Sequence, residues 1–220
     1  MTCFLFMIGL TACAGYRIKD KENPFAEYDI QSVSIPYFFN KGVIPNASNA
    51  FTSEIIQALS NFPKLNILAG DGKKADAVLL GIITTPQYYT GEMQTVTTSG
   101  YRPSEEVAPN ATQGRIGFFI PQGTLVKATL NLILIKNPTE DEIKLMTSDL
   151  GNKIIGHPKI VFNRLIDVST TFGREIYDTG AGGDETAINM TQNKGNFDRA
   201  VKRMAGDAAN QFKQTILYAF

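Results

Sequence analysis

The chain has 220 residues but only one histidine, His157, and two cysteines, Cys3 and Cys13. A lone histidine leaves at most one candidate for a nucleophile–histidine pair and excludes a His-rich metal centre. Cys3 falls inside an apolar leader, so the rest of the chain keeps Cys13 alone. That excludes an internal disulfide and a cysteine-built zinc site. An excess of charge is missing too: 21 basic residues face 21 acidic ones. General nucleic-acid binding needs a basic footprint, and none is expected here. After the leader, no stretch approaches the roughly 18 continuous apolar residues of a membrane-spanning helix.

The leader is where apolar residues do concentrate. Met1 to Ala12 holds Phe4, Leu5, Phe6, Met7, Ile8 and Leu10 without a single charge. This is the apolar region of an export signal, too short to cross a bilayer. Leu10-Thr11-Ala12-Cys13 then fits a lipobox, in which small residues before the cysteine admit a peptidase and the thiol takes a diacylglyceryl group. The expectation is a signal peptide over 1–12, a lipid-anchored tether over 13–28 and a single domain over 29–220. The anchor would be a triacylated Cys13 bearing palmitate-type chains. Such a signal normally opens on Lys or Arg, and none precedes Cys13. That points to a start upstream of Met1, or to Met1 as an internal methionine. The competing expectation is Cys13 as a buried thiol in a first strand.

Hydrophobic periodicity organises the remainder. Asp29 to Asn40 alternates as a first strand, with Pro36 marking an edge or a bulge near its end. Phe51, Ile55, Leu59 and Phe62 recur at helical spacing after an N-cap at Asn46 or Ser48, and Pro63 ends the helix. Lys64 to Ala69 is a short strand. The near-continuous apolar run Val78-Leu79-Leu80 with Ile82-Ile83 predicts a central strand, in which Gly81 marks a bulge or a close approach. Residues 90–122 are rich in Thr, Ser, Gly and Pro and read as a long surface excursion, in part a hairpin. Thr124 to Asn137 and Lys159 to Asp178 predict two long antiparallel strands joined by a polar connection with one helical turn. Phe197, Val201, Met204, Ala208, Phe212 and Ile216 form the apolar stripe of a C-terminal helix opened by Gly195 or Asn196. The expected fold is α+β, a two-layer sandwich with two helices on one face of a mainly four-stranded mixed sheet.

In order and spacing, Gly15-Tyr16-Arg17 after the lipid cysteine, Val33-Ser34-Ile35-Pro36-Tyr37-Phe38-Phe39-Asn40 before the first helix, and Ala75-Asp76-Ala77-Val78-Leu79-Leu80-Gly81 carry a resemblance. The chain resembles the LPS-assembly lipoprotein family, the LptE type of Gram-negative outer membranes, over most of its length except 90–122. Two departures are visible: Ala14 separates Cys13 from the Gly-Tyr-Arg triplet, and the excursion is longer than the family's. The resemblance implies an outer-membrane, periplasm-facing lipoprotein that plugs a large β-barrel LPS-assembly protein. With that barrel it helps insert lipopolysaccharide into the outer leaflet, and it binds lipopolysaccharide itself. It implies no enzyme activity and no cofactor. The alternative is another lipid-anchored periplasmic assembly factor or binding module; a secreted hydrolase is a further rival.

Lipopolysaccharide carries phosphates and fatty chains, so its site calls for Lys or Arg beside apolar residues. Arg102, Arg115 and Lys127 flank the excursion and are the candidate ligand-binding residues, with Cys13 as the lipidation site. The competing reading of each of the three, and of Arg164 and Arg174, is a solvated surface charge, which is the commoner state of Lys and Arg. His157-Pro158 reads as a strand entry, because no nucleophile or orienting partner can be named for it. Asp178 to Glu185 lacks the alternating oxygen ligands of a calcium loop. Asn46, Asn110 and Asn189 stand in N-x-S/T triplets that a bacterial lipoprotein does not glycosylate by default. Tyr88, Tyr89 and Tyr101 read as edge or loop packing.

Overall fold

The computed structural model describes residues 22–70, 75–85, 93–101, 118–148, 157–174 and 190–219. It holds strands β1 (Ser32–Ile35), β2 (Phe39–Asn40), β3 (Asn66–Ala69), β4 (Ala77–Thr84), β5 (Met93–Tyr101), β6 (Phe118–Lys136) and β7 (Ile160–Gly173). Among the described residues three α-helices accompany them: α1 (Ala47–Leu59), α2 (Glu140–Thr147) and α3 (Met190–Ala219). The class is α+β with one mixed sheet, as the periodicity predicts. Among the described residues the sheet has seven strand segments, roughly consistent with the mainly four-stranded sheet expected: β4 to β7 are long, and β1 to β3 have four residues or fewer. β1 runs parallel to both β3 and β4, while β4, β5 and β7 all run antiparallel to β6.

β6 lengthens the sheet and brings in β5. It starts at Phe118, inside the expected excursion, and is 19 residues long. One of its edges pairs first with β5, through Phe118 to Val126, and then with β4, through Thr129 to Lys136. Its other edge is taken by β7. The excursion therefore contributes a hairpin arm that prolongs the sheet. Its Thr-rich composition suits strands, because β-branched side chains fit a pleated surface.

Strand parity assigns the faces. Ala77, Leu79 and Ile83 of β4 join Val126, Leu130 and Leu134 of β6 and Phe162, Ile166 and Phe172 of β7. All point towards α1 and α3, which bury Phe51, Ile55 and Leu59, and Val201, Met204 and Phe212, against them. Val78, Leu80, Ile82, Ile133 and Ile135 face the other way and are covered by Met146 and Ile143 of α2. Burial on both faces explains the unbroken apolar run of β4. α2 therefore adds a partial third layer where the sequence suggested one helical turn. Its signal was legible as Thr139-x-x-Glu142. The Glu142 N–H donates to Thr139 Oγ1 at 3.2 Å, and the Thr139 N–H donates to Glu142 Oε2 at 2.7 Å.

Three local expectations change. Asn46 stands at the N-cap of α1 with φ 60°, but its side chain makes no cap bond. Asn196 lies inside α3 rather than opening it, and its Nδ2 donates to Gly173 O at 3.0 Å. Residues 22–28, expected in the tether, belong to the fold. Phe25 is fully buried, and Asn23 clamps the segment by donating from Nδ2 to Ile30 O and accepting from the Phe25 N–H.

Two sequence signals find their cause. Pro36 falls in the gap between β1 and β2. Gly81 is a close approach: a Cβ there would stand 2.3 Å from the Phe38 ring, which is buried on β4. Gly81→Ala is expected to cost about 1–3 kcal/mol by overpacking. Urea unfolding measures it, and an unchanged midpoint would contradict the packing.

Candidate functional site

β1, β4 and β7 run the same way, and along β6 the end of β7, opposite Gly123, reaches past the end of β4, opposite Thr129. α3 runs back along β7, with Phe197 edge-on to Phe172 at 5.4 Å and Phe212 edge-on to Phe162 at 5.7 Å. Its first turns therefore stand beside the end of β7. Between them and α1 opens a cleft of about 770 Å³.

The α3 wall presents Arg199, Lys202, Arg203 and Gly206, spaced as one helical stripe. The opposite side of the helix carries Ala200, Val201, Met204 and Ala208 into the core. The β7 wall contributes Phe172, Gly173 and Arg174. The Arg174 guanidinium lies over the Phe172 ring, 5.6 Å from its centroid. Asn196 ties helix to strand through Gly173 O and accepts from Arg199 Nη2; Arg203 Nη2 reaches Thr171 O at 3.5 Å. From α1 comes Glu54, the single carboxylate of the lining among the described residues.

Among the described residues, four cations thus line one cleft with one carboxylate among them. Among the described residues none of the four pairs with an acid within 4 Å. Like charges at i and i+4 of a helix repel by a few tenths of a kcal/mol. An anion with several oxygens would relieve that repulsion and accept from the guanidinium forks. Phe172 and the stems of the basic side chains give the cleft an apolar lining as well.

The sequence candidates are distributed differently. Cys13, Arg102 and Arg115 lie outside the described residues, as do Asn110, Asn189 and residues 178–185 with Tyr88 and Tyr89. Lys127 is half-buried on β6 opposite Ser169, on the sheet face turned away from α1 and α3, and does not line the cleft. Arg164 is exposed further along β7. Arg174 does line the cleft. Arg199, Lys202 and Arg203 were visible as the polar side of the C-terminal helix. Their i, i+3, i+4 spacing was the available signal, and only the docking of α3 on β7 turns it into a wall.

Two other polar clusters are structural. Asp76 accepts from the Gln31 and Ser32 N–H groups and from Ser32 Oγ, at 2.8–3.0 Å. These bonds, the Ser32 hydroxyl first, hold its carboxyl below the usual range. Glu142 accepts from Lys159 Nζ at 2.8 Å, with His157 Nε2 at 3.6 Å, just before β7. The Lys159 bond, then the Thr139 amide, lower its pKa from 4.5 to about 2. A depressed carboxylate stabilises the fold above its unfolded pKa, and that contribution is lost as pH falls through the folded value. Glu142→Gln is therefore expected to flatten the loss of stability between about pH 4.5 and 2. An unchanged acid limb in pH-resolved unfolding would contradict it. Among the described residues no group of three or more His, Cys, Asp or Glu could hold a metal, and no helix is long and apolar enough to cross a membrane.

No protein-family model matches the chain, and no curated protein matches it in sequence. Solved structures are similar at low identity. A candidate lipoprotein from Caulobacter crescentus CB15 is 10% identical with a TM-score of 0.38, over 82% of this chain and 87% of that one. Protein XCC0632 from Xanthomonas campestris, of family DUF330, is 8% identical with a TM-score of 0.41, over 84% and 85%. A PelC dodecamer from Paraburkholderia phytofirmans is 10% identical with a TM-score of 0.31, over 81% and 87%. The neighbours thus include a candidate lipoprotein and a DUF330 protein of Gram-negative bacteria, with nothing specific to the LptE type. At these TM-scores the likenesses assign no activity to the chain.

Proposed function

We propose that the protein is a non-enzymatic, lipid-anchored component of lipopolysaccharide assembly at the outer membrane, tethered through Cys13. It partners an outer-membrane β-barrel and grips the phosphates of lipopolysaccharide in the cleft between α3, β7 and α1. The observation that carries this function is the gathering of Arg174, Arg199, Lys202 and Arg203 beside Phe172, with Glu54 as the only carboxylate among the described residues. Phosphate groups on an amphiphile match that chemistry: guanidinium forks take the oxygens, and the aromatic and aliphatic lining takes the adjoining apolar part. The lipobox and the ordered motifs of the LptE type supply the membrane and the barrel partner. Three acyl chains, each CH₂ contributing about 0.8 kcal/mol, make an effectively permanent anchor.

Affinity purification of the tagged full chain from solubilised outer membrane tests the partner. A large β-barrel protein in near-stoichiometric yield is expected. Recovery of the chain without any barrel would reduce the function to a free-standing lipid-anchored binding module.

A further inference from the structure

The side chains of the cleft divide unevenly by hydrogen-bond type. Arg174, Arg199, Lys202 and Arg203 carry donors and no acceptor. Asn196 is engaged within the wall, donating from Nδ2 to Gly173 O and accepting from Arg199 Nη2 through Oδ1. Among the described lining residues that leaves Glu54 as the one side-chain acceptor not already engaged. Glu54 is half-buried on α1, in the turn that buries Phe51 and Ile55. Its Oε2 stands 3.9 Å from the point a Cβ on Gly206 would occupy, so the carboxylate reaches across to the bare flank of α3. Lys202 and Arg203 lie one turn before Gly206 on that flank. Yet among the described residues no cation of the lining comes within 4 Å of it.

A carboxylate in that place works against a ligand that is phosphate alone. An ionised phosphate held by the α3 cations is repelled by Glu54 and offers it no hydrogen. The cleft is also larger than one phosphate needs. Its volume of about 770 Å³ matches sites that take whole small molecules, roughly 300–1,000 Å³. What such a ligand must add is a donor beside its phosphate. A sugar hydroxyl or amide N–H supplies one, while Phe172 and the aliphatic stems of the basic residues cover the carbon face of the ring.

We propose that Glu54 is the specificity-determining residue of the cleft. It accepts a hydrogen bond from a sugar hydroxyl or amide N–H next to the phosphate, so the site selects a phosphorylated sugar headgroup over a plain phosphate-bearing lipid. The proposal rests on the phosphate-gripping cleft above. The cations hold the charge, and Glu54 reads what the charge is attached to. Hydrogen bonds to an ionised acceptor are roughly twice as strong as neutral ones, and a site built around such a bond discriminates against a ligand lacking the donor.

Lipid A, a phosphorylated sugar, and phosphatidic acid, which has no free hydroxyl on its glycerol, are each titrated into the full acylated chain in micelles of one uncharged detergent. Glu54→Gln keeps the shape and removes the charge; Glu54→Ala removes the acceptor. Glu54→Gln is expected to tighten phosphatidic acid and weaken lipid A, so that the ratio of the two affinities falls at least about fivefold from the parent's, and Glu54→Ala should lower it at least as far. Both lipids are read on the same variant, so any loss of folded protein cancels from the ratio. A carboxylate that merely repelled anions would do the opposite and raise lipid A, with its greater charge, the more. A ratio that stays the same or rises overturns the role of Glu54 and leaves the phosphate grip standing. Binding of both lipids that Arg199→Glu/Arg203→Glu does not weaken overturns the phosphate cleft and this proposal with it.

Discussion

The double variant Arg199→Glu/Arg203→Glu is expected to bind lipopolysaccharide at least about 100-fold more weakly than the parent chain. Hydrogen bonds to charged groups contribute about 1.5–3 kcal/mol each. Losing two such bonds and introducing two repulsive carboxylates removes at least about 2.7 kcal/mol, which is that factor. Both arginines stand exposed on α3, away from its buried stripe. Stability should therefore change by less than about 0.5 kcal/mol per site. Equilibrium binding to lipopolysaccharide micelles, with thermal unfolding alongside, separates a lost site from a lost fold. Lys127→Glu is the internal comparison. Lys127 lies on the far face of the sheet, so its reversal should leave binding within about twofold if the cleft is the phosphate site.

Cys13→Ala is expected to abolish attachment. Without the thiol no acyl group is added, and the chain either stays as an unprocessed precursor or appears in the soluble periplasmic fraction. Fractionation with intact-mass measurement reads both outcomes. The parent protein should begin at Cys13 and carry the mass of its lipid. An unmodified polypeptide that retains residues 1–12 would contradict the anchor. A tight barrel partner could hold the variant in the outer membrane, so the mass, and not the fraction alone, decides.

Much of the fold was legible because burial writes period into sequence. The helical spacing of Phe51, Ile55 and Leu59 and the double-faced run of β4 identified their elements correctly. The motif pieces have structural reasons too. Asp76 bridges to Ser32 across β4 and β1, and Gly81 leaves room for Phe38. Those contacts demand specific residues at fixed separation, which is why the pieces stand out. The hairpin arm was harder to read. Its Thr-rich strand segments show no clean alternation, and pairing along β6 decides their state. The cleft was hidden for a different reason. Arg199, Lys202 and Arg203 read as the solvated side of a helix until tertiary packing sets Arg174, 25 residues earlier by number, across from them. No local pattern encodes which charges will converge. Nearness to the excursion in sequence points to Arg102, Arg115 and Lys127, of which only Lys127 lies among the described residues, on the far face of the sheet; the cations that gather in the cleft do so by helix docking.

Titration of the full chain with intact and with enzymatically dephosphorylated lipopolysaccharide, at low and at moderate salt, tests the phosphate-gripping cleft most directly. Tight, salt-sensitive binding to the intact form and at least about tenfold weaker, salt-insensitive binding to the dephosphorylated form is the outcome expected of four converging cations. Equal affinity for the two forms at both salt concentrations would contradict it.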